Sequence, residues 1–240
     1  MGRIAIISPD TPGDIRENLS VMDMEPCPIP KTGLVLPSIA GHPDIQMFVH
    51  DNRVFCHPDL PVSFIKRIEW YAEITVCPTR LSPAYPEDIA YNVACTGSCA
   101  FHRRRHIDPV ILAYLEKRGI MLIEVRQGYA GCSTLVLGTD AIITADASIH
   151  TAATARGITS LRIRPGFIDL PGHDYGFIGG ASGIAGNRIL FTGDLSHHPD
   201  FQIIKNFIEG REKKIVPLSR NRPVDLGTIF VLDDRRGSVE

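Results

Sequence analysis

The side chain in this sequence that is most clearly able to take part in a reaction is a cysteine flanked by small residues. Residues 128–134 read Gly-Tyr-Ala-Gly-Cys-Ser-Thr, so Cys132 opens a run rich in β-branched residues. A cysteine thiolate is a strong nucleophile, and it needs a base or a positive charge nearby to lower its pKa. His173 is the first candidate for this base and His42 the second. The competing interpretation is a core cysteine, because free cysteines are among the most buried residues.

A second group of possible functional residues consists of four aspartates, each at the start of a predicted strand. They are Asp44, Asp88, Asp174 and Asp225. If these strands surround one axis, their carboxylates converge on it and would bind a cationic, planar ligand such as a guanidinium, whose donors form a fixed fork. Each aspartate taken alone is also explained as a cap for a turn. We predict that the four bind substrate.

A third group has residue types that suit zinc. Cys95, Cys99 and His102 are closely spaced, and cysteine and histidine are the usual ligands of structural zinc. Three arginines follow directly at positions 103–105 and would oppose a cation. A surface hairpin is the alternative, and the prediction is that the protein holds no metal and no cofactor.

The elements that must position these side chains recur along the chain. The order strand, strand, helix, strand is predicted for residues of about 44–80, 88–127, 131–166 and 174–219, and for 225–240 combined with 1–30. The last copy is assembled from both ends of the chain. The pattern therefore predicts one domain over residues 1–240 with an α/β fold. Its architecture would be a fivefold pseudosymmetric α/β-propeller of ββαβ units, in a ring closed by both termini. Irregular α/β alternation is the alternative.

This fivefold pattern resembles the pentein superfamily, whose enzymes modify guanidino groups. The run around Cys132 is similar to the small-residue segment that carries the catalytic cysteine of its hydrolases. In those enzymes the cysteine lies in the last unit, where this chain has Leu226. The overall pattern is similar to a bacterial branch of the superfamily without an assigned activity. The resemblance implies a pentein fold and chemistry on a guanidino compound.

Composition excludes several classes of partner. The formal net charge is −2, which gives no electrostatic reason to expect nucleic acid or an anionic membrane. No apolar run approaches the length of a membrane span, and the N-terminus lacks the pattern of a signal peptide. The expectation is a cytoplasmic protein with a small-molecule substrate; the oligomeric state is left open.

Two functions follow from these observations. The first is a cysteine-dependent hydrolase or transferase, related to the amidinotransferases, that acts on an arginine-like guanidino compound through Cys132. The second is a non-catalytic binding module with a pentein fold. The cysteine and its candidate bases favour the first, and Leu226 in the last unit favours the second.

Overall fold

Five small sheets, each of three strands, form the framework of this protein in a computed structural model that describes residues 2–235. The strands are β1 (Arg3–Ile7), β2 (Met24–Pro28), β3 (Met47–His50), β4 (Arg53–Cys56), β5 (Glu73–Val76), β6 (Ala94–Cys95), β7 (Cys99–His102), β8 (Met121–Glu124), β9 (Thr134–Val136), β10 (Ala141–Thr144), β11 (Thr159–Arg162), β12 (Ser182–Ala185), β13 (Arg188–Phe191), β14 (Lys214–Pro217) and β15 (Phe230–Asp233). The helices are α1 (Gly13–Val21), α2 (Pro43–Gln46), α3 (Val62–Ile68), α4 (Pro109–Lys117), α5 (Ala130–Ser133), α6 (Ala147–Thr154) and α7 (Phe201–Glu209).

Every sheet has the same topology. The middle strand pairs antiparallel with the strand that comes first in the repeat and parallel with the one that comes last. A helix connects the two parallel strands, as a parallel crossover requires. One sheet has the order β15-β1-β2, so it combines the C-terminal strand with the two N-terminal strands. The predicted α/β fold of repeated ββαβ units is confirmed by these five sheets.

The hydrophobic core is divided among neighbouring sheets. Each of the five largest clusters of buried side chains joins two sheets. Ile4 and Ile6 of β1 pack with Met47 of the next sheet, whereas Ala5 and Ile7 of β1 pack with Leu190 of β13. Successive strand residues point to opposite faces, so β1 contributes to two clusters. The sheet made from both ends of the chain therefore packs against the first sheet and the fourth.

Helix ends follow from local sequence. Asp146 caps α6 by accepting a hydrogen bond from the backbone N–H of Ile149, at 2.9 Å. Asp108 caps α4 in the same way, accepting from the N–H groups of Val110 and Ile111. Ser, Thr, Asp and Asn are favoured here because their oxygens satisfy N–H groups that have no partner in the first turn.

The start of the first strand in several repeats was predicted wrongly. Asp44 lies in the helical turn α2, and β3 begins only at Met47. Cys132 lies in the helical turn α5, and β9 begins at Thr134. In the fourth repeat β12 begins at Ser182, well after Asp174. These candidate functional residues therefore lie in the turns before the strands and not in the strands themselves.

None of the helices in the described part of the chain combines the length and the apolar character needed to cross a bilayer.

Candidate active site around Cys132

The position of Cys132 is set by a single helical turn and by an asparagine from the preceding repeat. The backbone N–H of Cys132 donates to Oδ1 of Asn92 at 3.1 Å, and Nδ2 of Asn92 donates to the Cys132 sulfur at 3.0 Å. The same amide donates to the backbone carbonyl of Asp44 at 3.1 Å. Asn92 is fully buried, so these bonds fix α5 and α2 relative to each other.

Asp44 contacts the thiol directly. The Cys132 sulfur donates a hydrogen bond to Oδ2 of Asp44 at 3.0 Å, and the Thr228 hydroxyl donates to the same oxygen at 2.6 Å. The other carboxylate oxygen, Oδ1, is buried and has no hydrogen-bond partner. Turns from three different repeats thus meet at one carboxylate.

Asp225 and His42 complete the cluster. The Asp225 carboxylate accepts hydrogen bonds from the N–H groups of Phe177 (2.9 Å) and Gly227 (3.1 Å). Nδ1 of His42 lies 3.8 Å from Oδ1 of Asp225 and has no hydrogen-bond partner. A Cβ atom on Gly180 would collide with the Asp225 carboxylate, so only glycine lets the backbone approach this closely.

Burial controls the protonation of the cluster. Desolvation raises the pKa of Asp44 to about 6. The pKa of Asp225 is raised to about 8, first by desolvation and then by the charge of Asp44. Burial lowers the pKa of His42 to about 4, so this imidazole is neutral at pH 7. Burial, followed by the charges of Asp44 and Asp225, holds the pKa of the Cys132 thiol well above its usual value. Each shift disfavours the charged form of a group that is removed from water.

A cavity of about 150 Å³ opens beside the cluster. Its lining includes His42, Tyr129, Cys132, His173, Phe177 and Asp225, and the rest is mostly aliphatic. We call it the site cavity. No lysine or arginine of the described residues lines it. The site cavity therefore presents carboxyl, imidazole and thiol groups on an apolar wall, which suits a ligand that brings its own positive charge.

The other predicted residues have different positions. His173 is exposed on the lining of the site cavity, and its Nε2 lies 2.8 Å from the Ser38 hydroxyl. Asp88 is buried and accepts a hydrogen bond from the Tyr129 hydroxyl at 2.6 Å, so it contacts the site cavity only through that tyrosine. Burial raises the pKa of Asp88. Asp174 is exposed and does not line the site cavity. The structure therefore brings Asp44 and Asp225 to Cys132, but not Asp88 or Asp174.

One group of residues has the donor types and spacing of a metal site. The candidate ligand atoms of His42, Asp44 and Cys132 all lie within 4.8 Å of one another, and these donor types bind zinc. Within residues 2–235, Cys95, Cys99 and His102 form no such group. Both ring nitrogens of His102 lie within hydrogen-bond distance of backbone carbonyls, those of Arg103 and Ile89.

Sequence analysis missed two residues that position the site. Asn92 holds the turn of Cys132, and Thr228 holds Asp44. The available signal for Asn92 was an amide side chain inside the otherwise apolar run Ile-Ala-Tyr-Asn-Val-Ala (residues 89–94). A buried amide needs hydrogen-bond partners, so it indicates a polar contact. Nothing comparable distinguishes Thr228.

Comparisons with known proteins agree with this fold. The chain is similar to the amidinotransferase SxtG of the saxitoxin biosynthetic pathway from Microseira wollei, with 11% identity and a TM-score of 0.54 over 99% of this chain and 95% of that chain. It is also similar to a cysteine-to-serine variant of dimethylarginine dimethylaminohydrolase from Pseudomonas aeruginosa, complexed with citrulline. That match has 8% identity and a TM-score of 0.54 over 91% of each chain.

A third solved structure and a family model extend the comparison. A dimethylarginine dimethylaminohydrolase with a histidine-to-glycine change, bound as an adduct to S-methyl-L-thiocitrulline, is 9% identical with a TM-score of 0.52 over 91% of this chain and 93% of that one. These proteins are members of the pentein superfamily, so the predicted resemblance is confirmed and the chain has a pentein fold. A family model described as a family of unknown function (DUF6873) matches residues 6–230. No curated protein sequence matches the chain.

Proposed function

Because the chain belongs to the family of unknown function DUF6873 and has a pentein fold, we propose from its site geometry that it is a cysteine-dependent enzyme acting on a guanidino compound. One observation carries this proposal. The Cys132 thiol donates to the buried carboxylate of Asp44 at 3.0 Å, with a neutral histidine, His42, inside the same 4.8 Å group. Nucleophile, base and anionic binding groups thus lie together beside a cavity.

The carboxylates recognise the cation. Asp44 and Asp225 are buried, and their pKa values are raised because they lack water. A guanidinium supplies the positive charge and the donors that these groups lack, so both aspartates ionise when it binds. His173 lines the exposed side of the site cavity and acts on the water or acceptor amine that enters there. Asp174 lies outside this cavity and has no part in the reaction. Asp88 acts through Tyr129, because its carboxylate accepts a hydrogen bond from the Tyr129 hydroxyl.

The bound cation also activates the thiol. The pKa of Cys132 is raised by burial and then by two nearby carboxylates, and a guanidinium placed between them offsets those negative charges. The thiol proton passes to His42 and the sulfur bonds to the guanidino carbon. The leaving amine departs with the proton from His42. Water, or an acceptor amine in a transferase, then attacks the thiouronium carbon, with His173 as the base, and releases the cysteine.

A non-catalytic binding module is the second candidate, and one observation favours it. In the ligand-free state the thiol of Cys132 is held protonated, because its pKa lies well above the usual value. Such a cysteine would contribute only packing and a hydrogen bond if substrate did not lower its pKa. This candidate predicts binding of guanidinium cations without turnover.

The experiment that separates the two is an assay for ureido product, urea and ammonia. The substrates are arginine, agmatine and dimethylarginine, and each is also offered with glycine as acceptor, where a new guanidino product is measured. The enzyme proposal expects turnover by the wild type and none by Cys132→Ala. Cys56→Ala is the matched control, because Cys56 is also buried but lies in a hydrophobic cluster that does not contain Cys132.

Two results would overturn the enzyme proposal. One is binding of these compounds, measured by calorimetry, with no turnover of any of them. The other is equal turnover by wild type and Cys132→Ala. All assays are repeated with a chelator, and turnover that a chelator abolishes would assign His42, Asp44 and Cys132 to a metal instead of to thiol chemistry.

A further inference from the structure

A second cavity, of about 240 Å³, lies on the other side of Asp44 from the site cavity. Its lining comes from the first strand of every repeat, namely β3, β6, β9, β12 and β15, and from the residues directly before these strands. We call it the strand-lined cavity. Asp44 lines it, whereas Cys132 lines the site cavity, and the two side chains touch at 3.0 Å. The two cavities are therefore separated by this contact.

The strand-lined cavity has a closed end and an open end. Near the closed end, Asp44, Thr134 and Ser182 are buried. Toward the other end the strands finish in residues that are partly exposed, and Ile184 has 37% of its surface exposed. A molecule entering beside Ile184 would thus move along apolar strand residues toward Asp44.

The closed end contains polar atoms without partners. Oδ1 of Asp44 and Oγ1 of Thr134 are both buried and have no hydrogen-bond partner. A buried polar atom without a partner is costly. Asp44 is the only charged side chain of the described residues that lines this cavity. The closed end therefore lacks a hydrogen-bond donor with a positive charge.

The open end and the walls of the strand-lined cavity suit an apolar part of the ligand. Most of the lining is aliphatic or aromatic, including Met47, Leu135, Ile229 and Phe230, and such walls bind hydrocarbon through the hydrophobic effect. Gly131 and Gly179 both line the cavity, and their backbones approach so closely that a Cβ atom on Gly179 would collide with the Gly131 carbonyl. This close approach suits a compact ammonium head better than a broad guanidinium.

We propose that the strand-lined cavity is a second binding site, separate from the site of the proposed reaction, for a primary alkylammonium. Its ammonium donates to Oδ1 of Asp44 and Oγ1 of Thr134, and its hydrocarbon chain lies along the five first strands. The site is independent of whether Cys132 is a catalyst. Because Asp44 is shared, an ammonium bound there lies next to the Cys132 thiol.

Two cysteines report on the two cavities separately. Cys95 lines the strand-lined cavity and Cys132 the site cavity. The protein is treated with N-ethylmaleimide at pH 8, with or without n-pentylammonium, and labelling rates are read by peptide mass spectrometry. At a concentration about ten times the dissociation constant, the ammonium is expected to slow Cys95 labelling about tenfold and to leave Cys132 unprotected. Binding itself is measured by calorimetry, which needs no label.

An uncharged ligand and variants that change or fill the strand-lined cavity make the test specific. 1-Pentanol has the same chain without the charge and is expected to bind about tenfold more weakly, since hydrogen bonds to charged groups are the stronger ones. Thr134→Val removes the hydroxyl while keeping the shape and should weaken n-pentylammonium binding. Ile184→Trp fills the open end and should abolish it. Ile203→Trp, on the exposed side of α7, is the matched control and should bind as wild type does.

The proposal is overturned if n-pentylammonium and 1-pentanol bind equally, if no binding is detected by calorimetry, or if Ile184→Trp binds as well as Ile203→Trp. It is also overturned if n-pentylammonium protects Cys132 and leaves Cys95 unprotected, because the ligand would then occupy the site cavity. Circular dichroism confirms that each variant is folded before it is compared.

Discussion

Three ionisable side chains around Cys132 lack the water that would normally solvate them. The exposed fraction of the residue surface is 4% for His42, 3% for Asp44 and 1% for Asp225. Ionised carboxylates in such surroundings are stabilised only by hydrogen bonds or by a cation. Asp225 has two backbone donors, but Asp44 retains an oxygen without a partner. At the scale of single residues, the buried cluster therefore lowers the stability of the protein without a ligand.

Asp44→Asn is expected to raise the stability of the folded protein at neutral pH. The folded-state pKa of about 6 lies above the ordinary value of 3.8 for an aspartate, so between these values the folded state binds more protons than the unfolded state. Stability then falls as pH rises through this window. The variant lacks this loss, and its advantage over wild type should grow by about 3 kcal/mol between pH 3 and pH 7.

Urea denaturation at a series of pH values measures this advantage. The control is Asp174→Asn, since Asp174 is exposed, and its stability should follow the wild-type profile. A constant difference between Asp44→Asn and wild type across the pH range would contradict the burial argument.

At the scale of elements, the site depends on short helical turns that precede strands. The turns α2 and α5 each contain four residues and are held together by the side chain of Asn92. Isolated turns of this length are not stable, so tertiary hydrogen bonds must fix them. Asn92 is thus a positioning residue for both Asp44 and Cys132.

Asn92→Ala and Asn92→Asp are expected to differ in their effect on Cys132. Alanine removes all the bonds of the amide and should destabilise the protein by about 2–3 kcal/mol. Aspartate keeps the acceptor for the Cys132 N–H but adds a negative charge beside the sulfur. That charge should raise the pKa of the thiol further and slow its alkylation. Alkylation rates of Cys132 against pH check this, and equal profiles for the two variants would refute it.

The sequence predicted the order of elements well but misjudged where the first strands begin. The repeat order was recoverable because each helix and strand carries its own apolar period. A turn of four residues such as α2 is too short for a period of 3.6 to be distinguished from a period of 2, so residues 44–49 looked like one strand. Pro43 at the first helical position was the available signal.

The contacts of the candidate site were beyond local sequence for a different reason. His42, Cys132 and Asp225 are widely separated in sequence and meet only because the repeats pack around them. Side chains at equivalent sequence positions did not all converge either. Asp174 precedes a long glycine-rich turn, and Gly179 instead packs against the backbone of Gly131 and Cys132. Which member of each repeat reaches the centre is decided by tertiary packing.

At the scale of the whole molecule, stability depends on packing between sheets, since each sheet has only three strands. A single repeat of this size cannot bury both faces of its sheet, so neighbouring repeats must cover them. Because the sheet β15-β1-β2 shares side chains with two hydrophobic clusters, its loss would expose the cores of both neighbouring sheets.

Leu232→Ala tests this dependence. Leu232 has 1% of its surface exposed and packs in the cluster that contains Ile4 and Ile6. The substitution should lower the free energy of unfolding by about 2–5 kcal/mol, as leucine-to-alanine changes in cores do, and the whole molecule should still unfold in one transition. Val76→Ala, with 52% of the Val76 surface exposed, should change stability little. A Leu232→Ala protein in which only part of the far-ultraviolet dichroism is lost early would show that the fifth sheet folds separately.

The sheet β15-β1-β2 also determines when during synthesis the protein can acquire its native structure. Strand β1 leaves the ribosome long before its antiparallel partner, residues 230–233, has been synthesised. Until then, one edge of β1 and the apolar side chains of two clusters have no native partner. The nascent chain must therefore keep these groups from aggregating until residues 230–233 have been synthesised.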